Sequence, residues 1–275
     1  MRLFSVRDAL LRIGVALALP LALSAQQSLA PIGPSGQTVS PAFEGWFKNR
    51  DGSFSLSFGY LNRNSAEEID IPIGANNFIA PGAANQGQPS HFSARRHWGV
   101  FAVRVPADFG EKKVVWTIKF RGQAYEIPGS LRAEWEIDAI EGEASADNTP
   151  PRVTIDGGTE SQGPAGSPAL SMQAIVGKPL PINVSVKDDA RAEPIARSAA
   201  PVDVTWFLHQ GPGTVKFAPP TARLTPTGGS SMTTATFSMP GEYLLRLRAN
   251  DSPMAGAGHA QCCWTNAFVK VVVTP

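Results

Sequence analysis

Apolar and polar residues alternate along the first half of the chain, and this period of two predicts β-strands. Residues 54–58 alternate phenylalanine and leucine with serine after an Asp51-Gly52 turn, and the isoleucines of 69–73 repeat the pattern. Pro72 would place the latter strand at a sheet edge. Further strands are predicted at 100–105, 114–120 and 124–127. Since no apolar stripe at helical spacing appears, residues 42–140 are predicted to form an antiparallel β-sandwich, with 76–90 as a long loop.

The second half shows the same alternation in shorter, more regular segments. Seven strands are predicted, at 152–155, 180–187, 202–208, 214–218, 232–238, 241–250 and 266–273. Seven short strands separated by turns are typical of an Ig-like sandwich. Trp206 takes the place of the core Trp on the third strand, and Tyr243 takes the tyrosine-corner position. We expect one buried cluster of Val184, Val186, Trp206, Phe237, Tyr243, Leu245 and Val271.

Two blocks of the second half resemble a known repeat. Val204-Thr205-Trp206 with Gly211–Phe217, and Ala235–Leu247, are similar to the polycystic-kidney-disease-like (PKD-like) repeat of secreted and cell-surface proteins. The similarity spans about 150–273, although Gln210–Gly213 stands where the best-known form has Gly-Asp-Gly. It implies an Ig-like fold and an exported compartment, but no reaction.

The first half also has a resemblance, which carries no activity. The block from Gly45-Trp46-Phe47 to Ser53, continued by Phe58–Asn64, is similar to uncharacterised exported bacterial proteins. Together the halves predict an all-β protein of two tandem β-sandwiches, the second Ig-like.

Composition marks the boundaries of these predicted domains. Residues 141–151 are polar and acidic and end in Pro150-Pro151, which is typical of a semi-rigid linker. The Gly- and Pro-rich residues 26–41 are expected to be a disordered lead-in. The domains are therefore predicted at 42–140 and 152–275. With few apolar residues in the linker, we expect them to unfold separately and a 150–275 fragment to fold alone.

The N-terminal segment is typical of an export signal. Three arginines precede an apolar run at 13–23, which is too short to span a bilayer. Cleavage after Ala25 is favoured over cleavage after Ala30, because Pro31 is a poor residue to follow the scissile bond. Residues 1–25 are predicted to be a signal peptide, and the protein to be periplasmic or extracellular. No transmembrane segment is expected in the mature chain.

The charge balance limits the partners. Without the three arginines and one aspartate of 1–25, the chain has 21 basic and 22 acidic residues. Nucleic acid and anionic membranes would require clustered Lys and Arg, so neither is an expected partner. The expected partner is therefore protein or carbohydrate at the cell envelope.

One polar and aromatic cluster is the candidate binding site. It consists of His91, Arg95, Arg96, His97 and Trp98, with Trp46 as a second aromatic surface. The simplest interpretation is a solvated loop or edge, and the sharper one is an anion or sugar contact with both tryptophans as stacking surfaces. On one strand the two histidines would lie about 20 Å apart, too far to share a metal.

No catalytic motif is found, and only calcium is considered as a cofactor. The pairs Glu67/Glu68, Glu134/Glu136 and Asp188/Asp189 are neighbours in sequence, whereas a glycosidase needs two carboxylates facing across a cleft. Nucleophile-elbow and zinc-helix patterns are absent from the sequence. Four aspartates near strand ends offer oxygen ligands for calcium, or else cap turns: Asp156, Asp188, Asp189 and Asp251.

Cys262 and Cys263 are the two cysteines of the chain, and they are adjacent. In an oxidising compartment thiols normally pair, yet neighbouring Cα atoms lie closer than in most disulfides. A vicinal disulfide, favoured because 254–258 is glycine- and alanine-rich, competes with an intermolecular disulfide and with two free thiols. A metal pair with His259 is a fourth alternative, with fewer ligands than a structural zinc site has.

Two classes of function remain. The modular all-β layout and the lack of a catalytic motif favour an exported, non-catalytic module of the envelope or exterior, binding protein or glycan or acting as a spacer. The alternative is an exported hydrolase with its site in the first domain. Two convergent titratable groups in a deep pocket of 42–140 would favour the hydrolase.

Overall fold

The computed structural model of the chain describes residues 33–140, 147–192, 198–252 and 261–275. The predicted signal peptide, most of the predicted linker and His259 lie outside these ranges. Within them, no helix is both long and apolar enough to cross a bilayer.

The first half folds as a β-sandwich, as its alternation predicts. Its described strands are β1 (Val39–Lys48), β2 (Phe54–Asn62), β3 (Ile69–Asp70), β4 (Asn77–Ala80), β5 (His91–Phe92), β6 (Arg95–Val105), β7 (Val114–Phe120) and β8 (Gln123–Gly129), followed by a 3₁₀ helix at Ala133–Trp135. Sheets β1-β2-β6 and β4-β7-β8 enclose an aromatic core, and β3 pairs with β5. Phe58, Phe101 and Trp116 meet in its centre, with the Phe101 and Trp116 ring centroids 5.0 Å apart.

Several details of the first half differ from the sequence predictions. β1 begins at Val39, inside the range 26–41 expected to be unstructured, and Val39 is fully buried. β3 ends at Asp70, before Pro72, so the predicted strand at 69–73 is cut short. β2 is buried on both faces, because Ser55 and Ser57 are buried as well as the apolar residues between them.

The second half is an Ig-like sandwich of two sheets. Its described strands are β9 (Arg152–Ile155), β10 (Leu170–Ile175), β11 (Leu180–Lys187), β12 (Asp203–Gln210), β13 (Val215–Ala218), β14 (Thr221–Arg223), β15 (Gly228–Phe237), β16 (Gly241–Asn250) and β17 (Trp264–Thr274). The sheets run β10-β17-β16-β12-β14 and β13-β15-β11-β9, and β10 joins β17 in parallel. All seven predicted strands are present; β10 and β14 were not predicted.

The core of the second sandwich confirms the predicted cluster. All seven residues named for it are buried in one apolar cluster. Trp206 stacks against Phe217 with centroids 5.8 Å apart. The Tyr243 hydroxyl donates a hydrogen bond to the Met239 carbonyl at 2.9 Å, which is the tyrosine-corner contact expected of this fold.

The range 76–90, predicted to be one long loop, begins with strand β4 and continues as an ordered loop that docks onto the second sandwich. Asn77 is buried at its base, where its amide donates to the carbonyls of Ile71 and Pro89 and its oxygen accepts from the Trp116 indole. Farther along, the Gln88 carbonyl accepts from Gln210 at 2.6 Å. The loop therefore connects the first sandwich to the second.

The surface between the two sandwiches, called the seam below, is extensive and polar. Residues Gly33–Pro275 form one compact unit. The Asn266 amide and the Trp264 indole both donate to the Gly99 carbonyl, at 2.7 and 3.3 Å. Farther along the seam, the Gln261 amide donates to the Glu44 carbonyl at 2.8 Å. These contacts tie the halves together outside the predicted linker, which the expectation of separate unfolding did not take into account.

Candidate functional site

The outward face of strands β12, β16 and β17 builds the seam. Arg246 points outward from β16 and is only 2 % exposed, because the first sandwich covers it. Its guanidinium donates to the Asn266 side chain at 3.0 Å and lies 4.4 Å from the centre of the Phe207 ring. Burial lowers the pKa of Arg246 to about 9, so it keeps its charge at neutral pH. Among the described residues, its Nε finds no hydrogen-bond partner.

His209 docks the loop of the first sandwich onto the second. Its Nε2 donates to the Gly87 carbonyl at 2.7 Å, and its own carbonyl accepts from the Ser90 amide at 2.9 Å. Burial, reinforced by the charge of Arg246, lowers the pKa of His209 to about 3. The histidine is therefore neutral at physiological pH and acts as a fixed hydrogen-bond donor.

A groove of about 500 Å³ opens where the two sandwiches meet, and we call it the seam groove. Its wall on the first sandwich includes Glu68, His91, Arg95 and His97, and its wall on the second includes Phe207 and Phe217. Three of the six predicted binding residues thus line one concave surface. They come from two strands, β5 and β6, so the two histidines do not share one strand as expected.

His91 is locked between two carboxylates at the rim of the groove. Its Nδ1 lies 2.8 Å from Asp70 and its Nε2 lies 3.3 Å from Glu68. Burial alone would lower the pKa of His91, but the hydrogen bonds and charges of Asp70 and Glu68 outweigh it and raise the pKa to about 9. At neutral pH His91 is therefore an imidazolium that donates from both nitrogens, so neither nitrogen is free to act as a base.

His97 forms the aromatic floor of the groove together with Tyr60 and Phe207, whose rings it contacts. Its ring stacks on Tyr60 with centroids 4.9 Å apart, meets Phe207 edge-on at 5.7 Å, and its Nε2 donates to the Ala94 carbonyl at 3.1 Å. Burial, followed by the charge of Arg246, lowers its pKa to about 4. The floor is therefore uncharged at neutral pH.

Arg95 is the exposed cation of the groove. Its backbone has φ of 74°, a left-handed conformation that costs a non-glycine residue about 1–2 kcal/mol. Among the residues that the structure describes, its guanidinium has no ion-pair partner. An exposed, unpaired arginine held on strained backbone is consistent with a binding role.

The other predicted binding residues lie elsewhere. Arg96 pairs with buried Glu44 at 2.6 Å and lies over the ring of Trp98, 5.0 Å from its centre. Trp98 is 36 % exposed, whereas Trp46 is buried in the first core and its indole donates to the Arg132 carbonyl. Trp46 therefore cannot offer a second stacking surface, and Arg96 with Trp98 forms a separate patch.

The cysteines lie at the entry to β17. Cys262 and Cys263 are bonded to each other across a cis peptide bond and are buried. Both sulfurs contact the Asn148 carbonyl, at 3.6 and 3.4 Å. Trp264 follows directly and enters the seam against Gly99.

Two signals for this site could have been found in the sequence, and one could not. Phe207 and Phe268 fall on outward positions of strands, where an aromatic residue suggests a covered face. Tyr60 lies in the block that resembles exported bacterial proteins and was not considered as a site residue. Arg246 alternates with leucines as solvent-facing residues do, so nothing local indicated its burial.

Comparison with known proteins adds little beyond the fold class. No family model matches the chain, so the PKD-like similarity stays a resemblance, and no curated protein matches its sequence. Among solved structures, a C. elegans MSP family member, WR4, is 12 % identical and covers 44 % of this chain and 97 % of its own, with a TM-score of 0.28.

Two further matches span more of the chain. The D00-D0 domain of intimin is 14 % identical, covering 86 % of this chain and 100 % of its own, with a TM-score of 0.25. Domains 4 and 5 of the S-layer protein SbsC are 10 % identical, covering 87 % and 98 %, also with a TM-score of 0.25. At these identities and TM-scores the similarities carry no argument about function.

Proposed function

We propose that the protein is an exported, non-catalytic module that binds a glycan in the seam groove. The observation that carries this proposal is the composition of the groove, which combines a rigid aromatic floor with a rim of fixed charges. Sugar rings pack their C–H faces on aromatic side chains, while hydroxyl and carboxylate groups take hydrogen bonds at the edges. A volume of about 500 Å³ falls within the usual range for small-ligand sites.

The rim charges favour an acidic sugar. Within the described part of the chain Arg95 has no ion-pair partner, and the fork geometry of its guanidinium suits a carboxylate better than a hydroxyl. The positive charge of His91 is already balanced by Asp70 and Glu68. A uronate-type carboxylate would therefore be bound by Arg95, with its ring against the Phe207 side of the floor.

The state of the histidines supports binding over hydrolysis. A general base needs a free nitrogen and a pKa near the working pH. Both nitrogens of His91 are engaged and its pKa is raised to about 9, whereas the pKa of His97 is lowered to about 4. Neither imidazole is poised to take a proton from water or from a hydroxyl.

Calorimetry with matched oligosaccharides tests the proposal. An oligogalacturonate should bind the mature protein, while a neutral oligosaccharide of the same length should bind at least about tenfold more weakly. Arg95→Ala should remove that preference. Arg50→Ala, at an exposed arginine in the turn before β2, should leave it unchanged.

Three results would overturn the glycan assignment. Equal affinity for the charged and neutral sugars, or no heat of binding with either, would overturn it. Two alternatives would then remain: binding of an envelope protein, or a role as a spacer. Equal loss in Arg95→Ala and Arg50→Ala would indicate non-specific charge attraction. Shortened oligosaccharides after incubation would replace the proposal with the hydrolase.

A further inference from the structure

Three residues meet at one end of the second sandwich, away from the seam groove. Asn148 precedes β9, Asp188 follows β11 and Asp251 follows β16. β9 and β11 pair with Lys187 opposite Arg152, which places the start of one beside the end of the other. The Asp251 amide donates to the Cys263 carbonyl at 3.3 Å, and the Cys263 sulfur contacts Asn148. We call Asn148, Asp188 and Asp251 the oxygen cluster.

Two residues of the oxygen cluster are buried, the third, Asp188, is half-buried, and each of the three has an unsatisfied side-chain atom. Asp251 is 5 % exposed and Asn148 is 0 % exposed. Among the described residues, neither carboxylate oxygen of Asp251 has a hydrogen-bond partner, nor does either side-chain polar atom of Asn148, nor Oδ1 of Asp188. The Asn148 amide lies near enough to Asp251 to influence it, but their geometry falls short of a hydrogen bond. Such groups cost free energy unless something binds them.

A proton on Asp251 would resolve this cost only in part. A protonated carboxyl has an O–H that needs an acceptor and a carbonyl that needs a donor. The Asn148 amide is near enough to influence Asp251, but it could not also satisfy Oδ1 of Asp188, and the carboxylates of Asp188 and Asp189 both lie within electrostatic reach. A bound cation would satisfy oxygens of all three side chains at once and neutralise both carboxylates.

We propose that Asn148, Asp188 and Asp251 bind a calcium ion. The donors are all oxygens, of the carboxylate and amide types that calcium takes at six to eight positions together with carbonyls and water. The nearby sulfurs are joined in a disulfide, so they are not thiolate ligands for a softer metal. Among the described residues, no three His, Cys, Asp or Glu side chains form a metal site by themselves, which is why the amide of Asn148 is essential here.

The structure also separates this cluster from the other aspartates considered for calcium. Asp156 lies at the opposite end of β9 and accepts hydrogen bonds from Asn183. Asp189 accepts from the amide and hydroxyl of Thr149 and from the Arg191 amide. Both are satisfied turn residues, so two of the four predicted ligands remain.

The test is thermal unfolding of the mature protein in calcium chloride and in EDTA, at matched ionic strength. With two carboxylates the dissociation constant for calcium should be about 10⁻⁴–10⁻³ M. Calcium at about a hundred times that dissociation constant should raise the melting temperature by roughly 5–10 °C. Titration calorimetry should give one site. Asp188→Asn and Asp251→Asn should abolish both signals, whereas the control Asp156→Asn should keep them.

The outcomes are distinguishable even if one variant does not fold. No calcium-dependent shift and no calorimetric binding in the parent protein would overturn the proposal. A shift that persists in Asp188→Asn or Asp251→Asn would also overturn it. If Asp251→Asn fails to fold, Asp188→Asn decides alone: loss of the calorimetric signal supports the site, and its retention refutes it.

Discussion

The core of the second sandwich and the seam are both buried, but they are built from opposite faces of the same strands. The core takes the inward positions of β12, β16 and β17, such as Trp206, Leu245 and Val269, and its buried cluster consists of apolar residues. The seam takes the outward positions of those strands, including Arg246 and Asn266, and is held by hydrogen bonds. The fold of one sandwich determines which positions point inward and which outward, whereas burial of the polar outward positions depends on docking of the other sandwich.

Truncation in the core should give the largest effect. Trp206→Ala removes a ring that is 5 % exposed and stacks on Phe217, and should cost about 3–5 kcal/mol of unfolding free energy. Urea titration followed by far-UV circular dichroism measures the loss. A cost below about 1 kcal/mol would show that Trp206 is not a core residue.

Overpacking the seam should give the next largest effect. Gly99 has φ of 46°, and a Cβ there would overlap the Trp264 indole, so Gly99→Ala should cost about 2–4 kcal/mol. The parent protein should unfold in one transition, because the seam couples its halves, and the variant should show two.

Calorimetry and a fragment provide the check on this coupling. A fragment of residues 150–275 should still fold, because it contains the whole second core, but it should be less stable with its outward face uncovered. Two transitions already present in the parent protein would show that the seam does not couple the halves, and would restore the original expectation of separate unfolding.

Acid and alkali should weaken the molecule through different histidines. Folded His91 keeps its proton to about pH 9 while the unfolded residue loses it near 6.5, so its stabilisation is complete below 6.5 and is lost as pH rises to 9. His97 and His209 have folded pKa values of about 4 and 3, so their stabilisation is present above 6.5 and lost as pH falls.

Urea midpoints between about pH 4 and pH 9.5 measure both limbs. Glu68 and Asp70 are more than half exposed, so the alkaline loss should be only about 1 kcal/mol. His91→Gln should reduce the alkaline limb and leave the acid limb intact, whereas His97→Gln should leave the alkaline limb intact and reduce the acid limb without removing it, because His209 still contributes. An unchanged alkaline limb in His91→Gln would contradict the ion-pair assignment.

The smallest effect is expected at the groove rim, and it should be a gain. Arg95→Gly relieves the positive φ, which should raise stability by up to about 1 kcal/mol while weakening binding of an acidic sugar. Arg50→Gly, the control at an ordinary backbone position, should lose about 0.5–1 kcal/mol. A loss of stability in Arg95→Gly would show that the arginine is there for structure.

The sequence predicted what depends on local alternation. Strands β9, β11 and β16 were predicted with their observed bounds, and Trp206 and Tyr243 have their predicted roles. Each of these features depends only on residues within its own strand. Strand β10 was not predicted because its outward positions contain both polar and apolar residues. It also pairs in parallel with β17, a contact that no local pattern encodes.

The candidate site was predicted only in part for the same reason. His91, Arg95 and His97 line the same groove and are close in sequence, but the second wall of the groove comes from more than a hundred residues away. Trp46 was assigned to the surface because an isolated tryptophan looks the same buried or exposed. Of the residues proposed for the oxygen cluster, Asp188 and Asp251 were among the four candidate calcium ligands, whereas Asn148 lies in the segment predicted as linker.

The contacts of the seam also determine when the protein can become complete. They join residues far apart in the chain: Gln88 and Gln210 are separated by 122 positions, Gly99 and Asn266 by 167, and Glu44 and Gln261 by 217. Contacts of such long range form slowly, because a large loop must close before any of them is made. A chain emerging from its N-terminus therefore completes its first sandwich before the docking partner exists. Until strands β12 to β17 have formed, the carbonyls of Gly87 and Gln88 are hydrated by water. Docking of the two sandwiches is therefore expected to be the last step of folding.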